Sequence, residues 1–421
     1  MSNTAQAFLQ NFERKLNRSL KYYLDICARC GACSDACHMY VATRDPVHAP
    51  AYRMELIRRL YKSAHSPLRM FPRLIGADGV DEKFIQDLSR AVWECTGCRR
   101  CVAHCPFGID VTVFFTAAKP ALVAAGVNSP APEIYSMVAD AALERGRNVE
   151  LYKGLFLEQV KSLEDQLRAE TGDPTIEIPV GKKGARVLYV ALAGSHTILP
   201  AAKIFHAARE DWTLSVFDAA NYAFFLADTE KAKEIARNIV EEAKSLGVKV
   251  VVITECGHAY RVMKHLAPKW LGEEFPFEVK SIVEIIDEYI REGRIKLRKE
   301  AIKEPVTYHD PCQLARNGGV IEEPRRVLKA AVLDFREMTP NGEKNWCCGG
   351  GGGLVAVPDF EELRVKTGKK KAEQVRATGA RIVATACENC KAQLKLLSER
   401  YNLGVQVVGV MDLVAEALSF S

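Results

Sequence analysis

The chain has 421 residues, a net charge of +5, 48% hydrophobic and 26% charged residues. That is the composition of an ordinary folded protein with room for about two to three domains, and the charge is too small to single out nucleic acid as a partner. Fourteen cysteines behind a start, Met1 to Gln10, that has neither a basic stretch nor an apolar core argue against a secreted disulfide scaffold. They point instead to metal binding in a reducing compartment.

Residues 5–25 read as one amphipathic helix. Phe8, Phe12, Leu16, Leu20 and Tyr23 recur at three- and four-residue steps, with Arg14, Lys15, Arg18 and Lys21 elsewhere on it. Next comes Cys27-x2-Cys30-x2-Cys33-x3-Cys37. The same spacing returns at Cys95-x2-Cys98-x2-Cys101-x3-Cys105, followed by Pro106. This is the bacterial ferredoxin run, and in two-cluster domains the fourth cysteine of each run serves the other cluster. The expected sets are therefore Cys27, Cys30, Cys33 and Cys105 for one [4Fe-4S] cubane, and Cys95, Cys98, Cys101 and Cys37 for a second. Gly31 and Gly97 suit a close approach of backbone to sulfide. His38 stands where the first run would usually carry proline, and is read as a hydrogen-bonding neighbour rather than a ligand. The spacing predicts helices over 51–63 and 81–94, with an Asp78-Gly79 turn before the second, then over 110–126 and from 132 to about 170.

Residues 171–184 carry Gly172, Pro174, Pro179, Gly181 and Gly184, the clearest boundary in the chain. Beyond it short apolar strands alternate with helices over 186–192, 198–209, 213–217, 229–246, 248–253 and 257–266, an α/β layer. The longest uncharged run, Val187 to Ala202, is interrupted by Gly194, Ser195, His196 and Pro200 and falls short of the ~20 apolar residues of a spanning helix. The region reads as two copies. Val187-Leu188-Tyr189 corresponds to Val306-Thr307-Tyr308, Thr254-Glu255-Cys256 to Thr385-Ala386-Cys387, and Phe217-Asp218-Ala219-Ala220 to Asn345-Trp346-Cys347-Cys348. The first copy has Ala193, Ala219, Ala220 and Ala259 where the second has cysteine, and keeps Cys256.

The second copy carries five thiols: Cys312, the adjacent pair Cys347-Cys348, Cys387 and Cys390. Five soft ligands exceed what a tetrahedral zinc site takes, leaving zinc plus a stray thiol as the weaker reading. Gly349 to Gly353 follow the pair. They lack the Lys-Ser/Thr ending of a phosphate loop, and no GxGxxG follows a strand, so no flavin or nicotinamide is expected. Reducing equivalents must then pass through another protein.

The five-thiol pattern resembles the CCG domain of heterodisulfide reductases and their relatives. These include glycolate oxidase iron–sulfur subunits, anaerobic glycerol-3-phosphate dehydrogenase C subunits and the K subunit of the sulfite-reduction membrane complex, the last closest in pattern because it also pairs one working site with an equivalent of Glu255 to Tyr260. The long gap between the N-terminal runs is similar to that of the α-helical ferredoxin domain of succinate dehydrogenase iron–sulfur subunits and heterodisulfide reductase C subunits.

The resemblance implies an α-helical two-cluster domain over 1–170, a linker over 171–184, a clusterless CCG domain over 185–300 and a working one over 301–421. It implies a non-cubane [4Fe-4S] cluster on Cys312, Cys347, Cys348, Cys387 and Cys390, with Cys256 and His309 as candidate catalytic residues and His258 and Arg316 close by. The activity implied is electron transfer to that cluster for reduction of a small heterodisulfide or a protein cysteine pair. The alternatives are a pure relay in a hydroxyacid or acyl-CoA redox complex, and an assembly subunit without redox turnover. The implied partners are a flavoprotein or a membrane cytochrome b-type subunit, and the implied location is cytoplasmic, or peripheral on the cytoplasmic side of a membrane.

Overall fold

The structure, a computed structural model, describes residues 3–77, 80–192 and 194–419. The expected Asp78-Gly79 turn and the Ala193 position lie outside the described residues. The chain forms two units that interleave in sequence. One comprises Met1–Met137, Ala223–Asp228 and Trp346–Lys371; the other comprises Val138–Tyr222, Thr229–Asn345 and Ala372–Ser421. The Cys347-Cys348 pair and its glycines thus belong with the eight N-terminal cysteines, whereas Cys256, Cys312, Cys387 and Cys390 belong to the second unit.

The first unit is helical. The single helix expected over 5–25 is two, Asn3–Glu13 and Arg18–Ile26. Asn17 separates them: its backbone is extended and its side chain accepts from the Leu20 N–H at 3.0 Å. Asparagine competes for local backbone bonds and favours this capping role over a helix interior. The helix Pro50–His65 opens on a proline whose missing N–H costs nothing there. Asp81 and Asp110 cap Glu82–Trp93 and Val111–Ala124. Phe8, Phe12, Trp93, Phe114 and Tyr135 are fully buried and form the core of the unit. The long helix expected from 132 is also two, Pro130–Arg147 and Val149–Thr171, broken at Asn148.

The second unit holds two parallel four-stranded sheets. The first contains β1 (Val187–Val190), β2 (Trp212–Leu214), β3 (Val250–Ile253) and β4 (Glu278–Ser281), in the order β2-β1-β3-β4. The second contains β5 (Val306–Tyr308), β6 (Phe335–Arg336), β7 (Ile382–Ala384) and β8 (Gln406–Val408), in the order β6-β5-β7-β8. The central strands are buried throughout, as expected of parallel strands covered on both faces. Helix Ile282–Arg291 packs on Glu322–Ala331, and Ser195–Ala207 on Val410–Ala417, so helices of the two sheets meet each other. Arg326 reinforces this contact with two bonds to the buried Asp287 carboxylate, 2.9 and 2.7 Å. The helix expected over 257–266 is an α turn, Gly257–Arg261, that widens to a π turn over Val262–Leu266 before Ala267–Leu271. Pro268 brings no N–H to the carbonyl four residues back, and the wider turn accommodates this. No helix among the described residues is long and apolar enough to cross a membrane.

Candidate iron–sulfur sites

In the first unit the two N-terminal runs adopt one local conformation. The residue before the second cysteine of each run, Arg29 or Gly97, and the residue after it, Gly31 or Arg99, all have positive φ. This winding turns the loop around its sulfurs. It costs roughly 1–3 kcal/mol at each arginine. Both arginines are held by ion pairs, Arg29 to Glu55 at 3.2 Å and Arg99 to Asp110 at 2.9 Å.

The thiols fall into two groups. Cys27, Cys30, Cys33 and Cys105 line one concavity with Gly31 and Phe107. Burial, with added charge from Cys27 and Cys105, pushes the Cys33 thiol up to about 11. In the other group burial raises Cys101, helped by Cys37 and Cys95. The Cys37 thiol lies 3.5 Å from the His48 carbonyl oxygen. Each group therefore draws on both runs, and no disulfide joins any of the fourteen cysteines.

An anionic cluster fits the second group. Arg53 is buried, its Nε donates to the Val47 carbonyl at 3.0 Å, and its Nη2 has no hydrogen-bond partner among the described residues. Its charge acts on Cys95, Cys37 and Cys101. A buried guanidinium N–H left unpaired is costly, and a negatively charged sulfide-rich group among those thiols would satisfy it. Lys119 is also buried, bonded to the Phe225 carbonyl at 2.7 Å and placed 4.8 Å from the Trp93 ring centre. Burial pulls it down to about 8, against the pull of Cys95.

His38 replaces the expected proline with a bridge. Its Nδ1 lies 3.2 Å from the Thr367 carbonyl oxygen and its Nε2 3.0 Å from Thr96 Oγ1. A neutral ring donating from Nδ1 and accepting at Nε2 satisfies both. A ring nitrogen of His38 and the sulfurs of Cys98 and Cys347 lie within 4.8 Å of one another. The glycines after Cys347-Cys348 pack flush on the Cys95-Thr96 backbone. A Cβ on Gly351 would stand 2.7 Å from the Thr96 carbonyl oxygen, and one on Gly352 would overlap that of Cys95. Close packing is the observed part of Gly351 and Gly352. Arg100 clamps the same region, bonding the Ala36 carbonyl at 2.7 Å and stacking 3.6 Å from the Trp346 ring centre.

In the second unit, Cys256 and Cys387 occupy matching places, each extended, each just before a helix that follows a central strand. The Glu388 N–H donates to the Glu255 carbonyl at 3.0 Å, and the Gly257 N–H donates to the Cys387 sulfur. The bonds from Cys390, helped by the one from Gly257, bring Cys387 down to about 7 against burial. Burial, with the Cys387 charge, pushes Cys256 well up. The Cys256 sulfur lies 3.3 Å from His258 Nδ1, while His258 Nε2 accepts from the Asn221 N–H at 3.4 Å. Burial holds His258 down at about 4, so the ring is neutral with its proton on Nδ1, toward the sulfur. Gly257 also packs on Gln313 and Leu314, just beyond Cys312.

His309 is buried, its N–H bonded to the Ala384 carbonyl at 2.9 Å, with a ring nitrogen within 4.8 Å of the Cys390 sulfur. Arg316 donates to the carbonyls of Glu343 and Asn345, both at 2.5 Å, which is a loop-bracing part. Sequence reasoning missed Arg53, although an arginine on the otherwise apolar face of Met54, Ile57 and Leu60 was the available signal.

Two ferredoxin-spaced cysteine runs and a further set of five cysteines in the sequence mark an iron–sulfur subunit. The model of the 4Fe-4S dicluster domain family matches residues 23–109, and that of the Cysteine-rich domain family, CCG, matches 306–395. The chain is 30% identical to the Hdr-like menaquinol oxidoreductase iron-sulfur subunit 2 of Archaeoglobus fulgidus, over 99% of this chain and 84% of that one. It is 29% identical to the D subunit of the dihydromethanophenazine:CoB–CoM heterodisulfide reductase of Methanosarcina barkeri, over 94% and 95%. A more distant similarity, 24% over 87% of this chain and 54% of the other, is to the EtfAB:quinone oxidoreductase of Syntrophomonas wolfei. The chain belongs to the family of heterodisulfide-reductase-like iron–sulfur subunits.

Proposed function

We propose that the chain carries electrons through two [4Fe-4S] cubanes to a non-cubane [4Fe-4S] cluster for reduction of a disulfide. The proposed ligands are Cys27, Cys30, Cys33 and Cys105; Cys37, Cys95, Cys98 and Cys101; and Cys312, Cys347, Cys348, Cys387 and Cys390. Bound there, such clusters supply one-electron steps at potentials tuned by charge and hydrogen bonding. The observation that carries the reading is the closeness of Cys347 to Cys98 inside one unit, which makes the route from the N-terminal cysteines to the C-terminal pair short. We divide the chain functionally at 1–170, 185–300 and 301–421, the middle part being a copy of the last that has lost its cluster. The common strand order of the two sheets supports this.

The protein's own groups would hold and orient. Arg53 and Lys119 offer positive charge to the second N-terminal group, and His309 offers a ring nitrogen beside Cys390. Cys256, with the His258 N–H on its sulfur, is the candidate for thiol exchange with substrate. The expected partners are a flavoprotein or a membrane cytochrome b-type subunit, and the expected location is the cytoplasm or the cytoplasmic side of a membrane.

Low-temperature EPR of the oxidised, anaerobically purified protein tests the reading. Oxidised cubanes are silent, so a paramagnetic signal that appears on adding thiol is the expected result. Iron at full content with no thiol response would move the assignment to a pure relay, a reading favoured by the high thiol pKa of the buried Cys256 and by the similarity to a quinone oxidoreductase. Cys256→Ala is expected to abolish disulfide turnover and spare electron relay to an artificial acceptor. Unchanged turnover would remove Cys256 from the mechanism.

A further prediction concerns Arg53. Arg53→Met removes a buried positive charge and is expected to lower the reduction potential of the second cubane, read by potentiometric EPR titration, with the first cubane unshifted. Arg53→Lys should restore part of the difference.

A further inference from the structure

The helix Pro50–His65 is followed by Ser66-Pro67-Leu68-Arg69-Met70-Phe71-Pro72-Arg73-Leu74-Ile75. Every residue from Pro67 to Leu74 is exposed. Four are large and apolar: Leu68 at 53%, Met70 at 84%, Phe71 at 58% and Leu74 at 78%. Single exposed apolar residues are ordinary, but four within seven positions on one projection are not.

The projection is internally ordered. Ser66 Oγ caps the Leu68 N–H, and backbone bonds run from Arg69 to Ser66, Phe71 to Leu68, Leu74 to Phe71 and Ala77 to Pro72, all between 2.8 and 3.2 Å. Lys62 Nζ holds the Ile75 carbonyl at 3.4 Å. Many of its backbone groups are thus satisfied locally while the apolar side chains face outward. That is what entry into a water-poor interface requires.

Its charge has one sign. No acidic residue lies between His65 and Ala77, and Arg69 and Arg73 alternate with the apolar side chains. The neighbouring surface continues the pattern. His65 pairs with Glu13 at 3.2 Å, and that contact brings the end of the first helix, with exposed Arg14 and Lys15, alongside.

We propose that residues 66–75 are a membrane-surface anchor, with Leu68, Met70, Phe71 and Leu74 entering the headgroup–acyl boundary and Arg69 and Arg73 meeting anionic lipid phosphates. Apolar burial and attraction to anionic lipid act together in such interfacial segments. The inference names the contact behind the peripheral placement proposed above and does not depend on the redox reading.

The full, cluster-loaded chain is mixed with vesicles of phosphatidylcholine, with and without phosphatidylglycerol, and floated on a density gradient. The expected result is flotation with the anionic vesicles, weakened by salt. Combined Leu68→Ser, Met70→Ser, Phe71→Ser and Leu74→Ser substitutions should reduce partitioning at least about tenfold. These side chains are exposed, so visible cluster absorption should persist, and its persistence separates a failed anchor from a failed cluster assignment. Phe71→Trp should give a blue-shifted emission with anionic vesicles and quenching by brominated acyl chains. The proposal is overturned if the wild-type chain stays with the unbound fraction or if the four-serine variant floats equally well. It is also overturned if light scattering shows that the four-serine variant dissociates a dimer, in which case a second copy covers the patch.

Discussion

Gly352→Val is expected to release iron from the second N-terminal cysteine group while the helices of that unit stay folded. Two effects combine. Gly352 has φ +68°, where a β-branched side chain costs about 1–3 kcal/mol. A Cβ there would also overlap the Cys95 carbonyl oxygen and come within 3.0 Å of the Thr96 Cα. Both obstacles are backbone, so no side-chain rotation relieves them. The loop they belong to is already committed to positive φ at Gly97 and Arg99 and cannot shift without moving Cys95 and Cys98. Gly126→Val is the control: it carries the same backbone strain at φ +66° with nothing among the described residues within 4 Å of the added carbon. Iron and sulfide per chain should fall in the first variant and hold in the second. Equal iron in both would mean that the glycine run does not support that loop.

The contrast between these two glycines also shows what a sequence can disclose. Thiol spacing is local information, and the x2, x2, x3 steps limit what a loop can do around its sulfurs. Helix periodicity is local as well. Where it misled, at Asn17 and Asn148, a polar residue with its own backbone preferences interrupted an apolar rhythm that ran on past it. The glycine run was visible, but its neighbour was not, because Thr96 and Gly351 are far apart in sequence. The same holds for His38, whose ring meets the Thr367 carbonyl 329 residues away. An arginine such as Arg53 on an apolar helix face is a legible anomaly. Only the fold brings it to thiols from both N-terminal runs. Insertion of 346–371 into the N-terminal unit belongs to the same class, since nothing in the composition of Trp346–Lys371 marks it as leaving the α/β pattern around it.

Asp310→Ala is expected to destabilise the second unit by about 3–5 kcal/mol, the range for removing one partner of a buried ion pair. Asp310 and Arg325 are both buried, and two bonds of 2.8 and 2.9 Å join them. The same carboxylate accepts the Gly342 N–H at 2.8 Å. Without it, Arg325 would keep only the partly exposed Glu337 as an anionic partner among the described residues, at 2.8 Å. Asp310→Asn retains an acceptor for Gly342 and should fall between wild type and alanine. Replacing both partners, Asp310→Leu with Arg325→Met, removes the stranded charge and should cost less than Asp310→Ala alone. Thermal unfolding of the loaded protein, followed by circular dichroism, ranks the three; an alanine variant as stable as the double variant would sink the argument. The position of Asp310 gives the prediction its reach. His309 and Cys312 flank it, and Asn345 holds its carbonyl at 2.7 Å while sitting just before Trp346. In His-Asp-Pro-Cys the histidine and the cysteine invite a chemical reading, but the aspartate between them ties this loop to Arg325 and to the Gly342 N–H.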